Sequence, residues 1–204
     1  MNAVGEQKTS ESEGFRQKKS DIIFKVNTRI LRPYEAKMLI NAIPKLEYVN
    51  KFEALLYSGM RYIELIRLYK HPEWFNGETI HITKEGSKKA KSTVSERYIH
   101  LNPLGKRAIY HYLRSKKPLP QNYATWTENL KRWSESAGLY PDYLSPKTTR
   151  KTWECWLITY YPEKFNQVFL SQGHSQLTSL RHYQNLPFSK QDKEEMREFV
   201  DGWE

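Results

Sequence analysis

The chain has 204 residues, enough for one domain with a full core, or at most one and a half. Its formal net charge of +10 and pI near 9.5 predict a polyanionic partner, nucleic acid before any other. No apolar run approaches the roughly 20 residues of a spanning helix, and there is no basic-then-apolar leader, so a soluble intracellular protein is expected, with no membrane partner. The single cysteine, Cys155, excludes an intramolecular disulfide and a thiolate-rich metal cluster, and its place between Trp153 and Trp156 reads as core.

The positive charge is uneven. Lys84 to Lys117 carries ten Lys/Arg against two Glu, whereas Arg181 to Glu204 carries four against six Asp/Glu. A focused basic band of this kind is an electrostatic footprint for DNA or RNA.

In chain order, residues 1–21 are polar and mixed in charge and are expected to form a disordered tail, with structure starting near Ile22. Arg32-Pro33-Tyr34-Glu35 reads as a helix start, with Ala36, Leu39, Ile40 and Ile43 at helical spacing. A second helix carries Phe52, Leu55 and Leu56 and ends at Ser58-Gly59. A third opens at Met60-Arg61 and runs to about Leu68. Thr79–Thr83 and Val94–Leu101 are β-type runs around a Lys/Gly/Ser segment, which predicts a hairpin with a long basic tip.

Asn102-Pro103 starts a further helix with Leu104, Ala108 and Tyr112 on one face. Trp126, Leu130, Trp133 and Ala137 mark the next, and Pro141 and Pro146 bracket a loop. Trp153, Trp156, Leu157 and Tyr160 form the inner stripe of an apolar helix and read as core rather than as a ligand stack. Phe165, Val168 and Phe169 fit a short helix ending near Gly173. Ser189-Lys-Gln-Asp192 is a capping-box-like start for a last amphipathic helix, about 189–203, with Met196, Phe199, Val200 and Trp203 on its apolar face. The expected fold class is mostly α with one small antiparallel sheet.

Several ionisable residues stand in a suggestive order. Arg61 follows Ser58-Gly59 at a helix start, and Arg150 lies one turn after Lys147. Arginine suits a phosphodiester under attack, because its planar fork donates two parallel hydrogen bonds and keeps its proton. Lys84 sits where the first hairpin strand enters the basic tip, placed to protonate a departing oxygen. His174 follows Gly173, and Tyr183 comes nine residues later. Lys88, Lys89 and Lys91 in the tip, with Arg97 on the returning strand, read as DNA contacts.

Ser58-Gly59-Met60-Arg61-Tyr62-Ile63-Glu64-Leu65 resembles the first arginine box of the tyrosine recombinases, the phage-integrase family. Ile82-Thr83-Lys84 is similar to that family's hairpin lysine. Lys147-x-x-Arg150 stands where the family has His-x-x-Arg, Leu170-Ser-Gln-Gly173-His174-Ser175 resembles Leu-Gly-His-Ser, and Tyr183 keeps the usual distance from that histidine. The resemblance spans about residues 32–204, and the catalytic domain is taken as 22–204.

The resemblance implies a site-specific recombinase that needs no metal or other cofactor. Tyr183 would attack the scissile phosphate, Arg61 and Arg150 would stabilise the transition state, His174 would assist, and Lys84 would act as general acid. It also implies a double-stranded DNA partner and self-association as a dimer or tetramer, with the C-terminal helix docking on a neighbouring protomer or packing on its own core. Lys147 departs from the family's histidine; it stays cationic at neutral pH and is a poor general base. That variation and the basic balance lean towards an integrase of an archaeal virus or mobile element. Only a polar tail precedes Ile22 where the family usually has an N-terminal DNA-binding domain, so an excised catalytic domain or a naturally short form is expected, with binding dominated by phosphate contacts and steeply salt-sensitive. A type IB topoisomerase-like relaxer and a non-catalytic DNA-binding relic of an integrase are the alternatives.

Overall fold

The computed structural model describes residues 15–83, 96–173 and 186–203. Among them are eight α-helices and two antiparallel two-stranded sheets. The chain opens with β1 (Ile23–Lys25) and β2 (Thr28–Ile30), then α1 (Pro33–Ala42), α2 (Leu46–Ser58) and α3 (Tyr62–Lys70). The second hairpin, β3 (Thr79–Ile82) and β4 (Arg97–His100), leads to α4 (Pro103–Leu113) and α5 (Tyr123–Ser136). The chain closes with α6 (Thr148–Tyr160), α7 (Phe165–Gln172) and α8 (Lys190–Val200). No helix among the described residues is long and apolar enough to cross a membrane.

Local chemistry sets these boundaries. Pro33 occupies the first turn of α1, and the Arg32 backbone N–H donates to the Glu35 carboxylate at 2.8 Å. Helix α2 stops at Gly59, whose φ of +60° is left-handed backbone that a side chain resists. Asn102 caps α4 by accepting from the Gly105 N–H at 2.9 Å, and its own amide donates to the Phe199 carbonyl at 2.6 Å. Ser189 and Asp192 form the capping box of α8.

The core is one cluster around α6, whose Trp153, Trp156 and Leu157 are fully buried, as the stripe predicts. The Trp156 indole N–H donates to the Leu31 carbonyl at 2.9 Å and ties α6 to β2. Cys155 is buried beside them. Helix α8 lies on α1 and α6 of its own body, with Met196, Phe199, Val200 and Trp203 buried. Arg32 pairs with Asp192 and Lys37 with Glu198 (2.7 Å), and the Trp203 indole N–H donates to the His100 carbonyl at 3.0 Å. Of the two placements open to this helix, the chain described here takes the one on its own core.

Two features depart from the sequence reading. The expected tail to residue 21 ends too late, because residues 15–21 lie on the body. Gln17 is buried; its N–H donates to the Gly138 carbonyl at 2.9 Å, and its amide group bonds Glu35 and Arg29. The second is the β1–β2 hairpin, which turns through Val26 and Asn27 at φ of +46° and +53° without a glycine.

Arg29 and Glu35 form a fully buried ion pair, 3.0 Å apart, beneath Gln17. Removing one partner of such a pair leaves an uncompensated buried charge. Glu35→Ala is therefore expected to lower the unfolding free energy by roughly 3–5 kcal/mol, read as a shift of the urea midpoint by tryptophan fluorescence. A loss below about 1 kcal/mol would mean that Gln17 and Tyr140 satisfy Arg29 alone.

Candidate phosphodiester site

The site grows from the end of α7. A helix leaves its last carbonyls without intrahelical donors, and they carry the negative end of the helix dipole. Here three successive carbonyls, those of Ser171, Gln172 and Gly173, each accept from a different arginine. Arg97 Nε donates to Ser171 at 3.0 Å, Arg150 Nη2 to Gln172, and Arg61 Nη2 to Gly173 at 3.2 Å. Arg150 Nη1 also donates to the Gly59 carbonyl at 2.7 Å. The three guanidiniums come from three elements: the start of α3, strand β4 and the first turn of α6.

Glu64 sits among them. Its Oε1 accepts from Arg61 Nη1 at 2.8 Å and its Oε2 from Arg97 Nη2 at 2.7 Å. The same carboxylate caps α3 through the Arg61 backbone N–H at 2.9 Å. Burial alone would raise the Glu64 pKa, but Arg97, Arg150 and Arg61 together hold it down to about 2. Burial lowers Arg150 to about 10, partly opposed by Glu154, so it remains a cation at neutral pH. Three cations against Glu64 and, beside Arg150, Glu154 leave a local excess of positive charge. Arg61 keeps 30% of its side chain exposed, so it offers donors to an incoming anion; Arg150 and Arg97 are buried.

Two glycines permit this convergence. A Cβ at Gly59 would lie 2.6–2.7 Å from the Gln172 amide and Trp153. A Cβ at Gly173, where φ is +66°, would meet Arg97 Cδ at 2.9 Å.

Lys147 stands one turn before Arg150 but outside the arginine cluster. It is exposed at the start of α6 and lines a cleft of about 410 Å³ with Val26–Thr28, Tyr123, Ser145 and Pro146. Lys151, one turn on, donates to the Lys25 carbonyl at 3.1 Å; burial lowers its pKa, and the charge of Lys147 lowers it further. Among the described residues no three His, Cys, Asp or Glu are grouped to hold a metal ion.

Of the candidate residues, the fold joins Arg61 and Arg150 at one carbonyl array and leaves Lys147 outside it. Lys84, Lys88, Lys89, Lys91, His174 and Tyr183 lie outside the described residues. The described chain reaches Thr83, just before Lys84, and Gly173, just before His174. Arg97 corrects the sequence reading. It was expected on the DNA surface but is only 6% exposed, because strand alternation turns it inward with Ile99. Glu64 is the member of this cluster not singled out for a role, although its spacing of three from Arg61 is a capping-box signal.

No protein-family profile matches the chain, and no curated protein sequence does. Solved structures do match. XerA recombinase superposes with a TM-score of 0.59 at 17% identity, over 84% of this chain and 65% of that one. The Tn1549 transposon integrase in complex with transposon right end DNA gives 0.60 at 16% identity, over 87% and 66%. The same integrase with circular intermediate DNA gives 0.60 at 14%, over 87% and 68%. The chain has the fold of a tyrosine recombinase catalytic domain. It spans about two thirds of the length of these structures, so the likeness of this recombinase fold concerns the described body and not their whole chains.

Glu64 gives the site a pH signature. Its folded pKa lies below the ordinary 4.5, so the stabilisation is present above pH 4.5 and is lost as pH falls towards 2. Between those values wild type should lose roughly 3 kcal/mol more unfolding free energy than Glu64→Gln, measured by urea titration at each pH. Parallel losses in the two proteins would show that Glu64 is not the titrating group.

Proposed function

We propose that this chain is a site-specific DNA recombinase, an integrase of a mobile element, that cuts and rejoins strands through a 3′-phosphotyrosine intermediate. The observation that carries the reading is the convergence of Arg61 and Arg150 on the carbonyls that lead into His174, within a recombinase catalytic-domain fold. Residues 22–204 are the catalytic domain in this reading, and double-stranded DNA is the partner; the transposon integrase structures are complexes with transposon right end DNA and circular intermediate DNA.

In the chemical step the Tyr183 Oη forms a bond to the scissile phosphorus and the P–O5′ bond breaks. The phenol gives up its proton, with His174 assisting, and the Lys84 ammonium supplies a proton to the departing 5′ oxygen. Charge building on the non-bridging oxygens meets the exposed guanidinium donors of Arg61 and the positive field of buried Arg150, both oriented before substrate arrives. The phosphotyrosine link conserves the energy of the broken bond, so a 5′-hydroxyl of a partner strand can reverse the step. Lys147, one turn before Arg150 and exposed, supplies positive charge to a phosphate rather than base catalysis.

A covalent trap tests this reading. The protein is incubated with nicked or half-site DNA fragments from its source genome, and a denaturing gel is read for a protein–DNA adduct. Wild type is expected to form the adduct and Tyr183→Phe none. No adduct with retained DNA binding would make the chain a binding module. An adduct without joining of two DNA molecules would make it a topoisomerase-like relaxer.

A second test concerns Lys147. Lys147→Ala should slow single-turnover adduct formation by roughly 100-fold, with Lys147→His within about tenfold of wild type. A large acceleration in Lys147→His would mean that the site lacks a base that lysine does not supply.

A further inference from the structure

Arg97 carries an inference that rests on the recombinase reading and goes beyond it. It lies on β4 directly opposite Ile82 of β3, two residues before Lys84 in sequence. Its side chain is only 5% exposed. It joins three parts of the site. Nη2 holds Glu64 at 2.7 Å, and Glu64 in turn holds Arg61 at 2.8 Å. Nε holds the Ser171 carbonyl at 3.0 Å, and the aliphatic stem fills the space that a side chain at position 173 would need.

We propose that Arg97 is a positioning residue for strand cleavage. It locks the β3–β4 hairpin, from which Lys84 emerges, to Arg61 on one side and to the end of α7 before His174 on the other. The hairpin that supplies the general acid and the arginines that stabilise the phosphorane are thereby held in one frame. Only a planar fork spans both acceptors. A lysine keeps the charge but reaches Glu64 or the Ser171 carbonyl, not both.

The full chain is tested as Arg97→Lys, with Arg97→Gln as the second variant where Arg97→Lys does not fold by circular dichroism. Each is assayed for equilibrium DNA binding and for single-turnover adduct formation. The substrate carries either an ordinary 5′ oxygen or a 5′-bridging sulfur, which leaves without needing a proton. Binding should stay within about threefold of wild type, since no phosphate contact is removed. Adduct formation on the oxygen substrate should fall by roughly 100-fold, the scale of a 1 Å misplacement, and recover to within about tenfold on the sulfur substrate. A loss of affinity matching the loss of rate would make Arg97 a DNA contact and overturn the proposal. Equal deficits on both substrates would do the same, by showing that Arg97 does not act through the leaving group.

If wild type forms no adduct on either substrate, the recombinase reading fails by itself. The locking role is then decided by amide hydrogen exchange. Arg97→Lys should raise exchange both in β4 and at 171–173 while the core of α6 keeps its protection. Unchanged exchange in either segment overturns the lock.

Discussion

The structure turns on the unsatisfied carbonyls at the end of one short helix. Helix α7 could end in water, as most helices do. It ends instead against three guanidiniums, one for each of three successive carbonyls. Three cations in so small a volume repel one another, and burial of Arg150 and Arg97 adds a desolvation penalty. Glu64 makes the arrangement tenable. Its carboxylate is close enough to all three to be held far below its ordinary pKa, while each arginine gives one further hydrogen bond to a carbonyl at the end of α7. Loss of any one member strands the others, so the cluster is a structural joint with positive charge in excess.

That joint explains why small residues fall where they do. Gly59 ends α2 in left-handed backbone and at the same time turns its carbonyl to Arg150. Gly173 ends α7 in the same conformation and lies against the stem of Arg97. In both places helix termination and close approach are met by the absence of one Cβ. The same economy holds at Glu64, whose Oε2 accepts both the cap N–H of α3 and Arg97 while its Oε1 accepts from Arg61.

Much of this was legible in the sequence, and what was missed has physical reasons. The helices announced themselves through apolar spacing and through Pro33, Gly59, Asn102 and Ser189 at their ends. The joint role of Arg61 and Arg150 followed from the resemblance to the tyrosine recombinase boxes. The β1–β2 hairpin was hidden because its strands are three residues long and its turn uses Val26 and Asn27, not a glycine. Gln17 was hidden because its worth lies in partners at positions 29, 35 and 140, and no local pattern encodes a cover for a buried ion pair. Arg97 was misread for a different reason. Its phase with Ile99 marked it as inward, but its charge and its basic neighbours suggested the surface. Alternation outweighed charge because Glu64 and a helix end were waiting inside.

The seating of α8 follows the same logic of shared supports. Trp203 donates to the carbonyl of His100, and Asn102 donates to that of Phe199, so the C-terminal helix is pinned to the strand–helix junction that carries Arg97 three residues earlier. Met196, Phe199, Val200 and Trp203 are buried there, at about 1.5–3 kcal/mol for each large apolar side chain. Together they rival the whole stability of an ordinary domain. An assembly in which α8 left this seat would therefore have to bury the same face against an equivalent seat. A second copy of the chain offers one, because exchange of an identical element between protomers conserves the burial and changes only which chain supplies it.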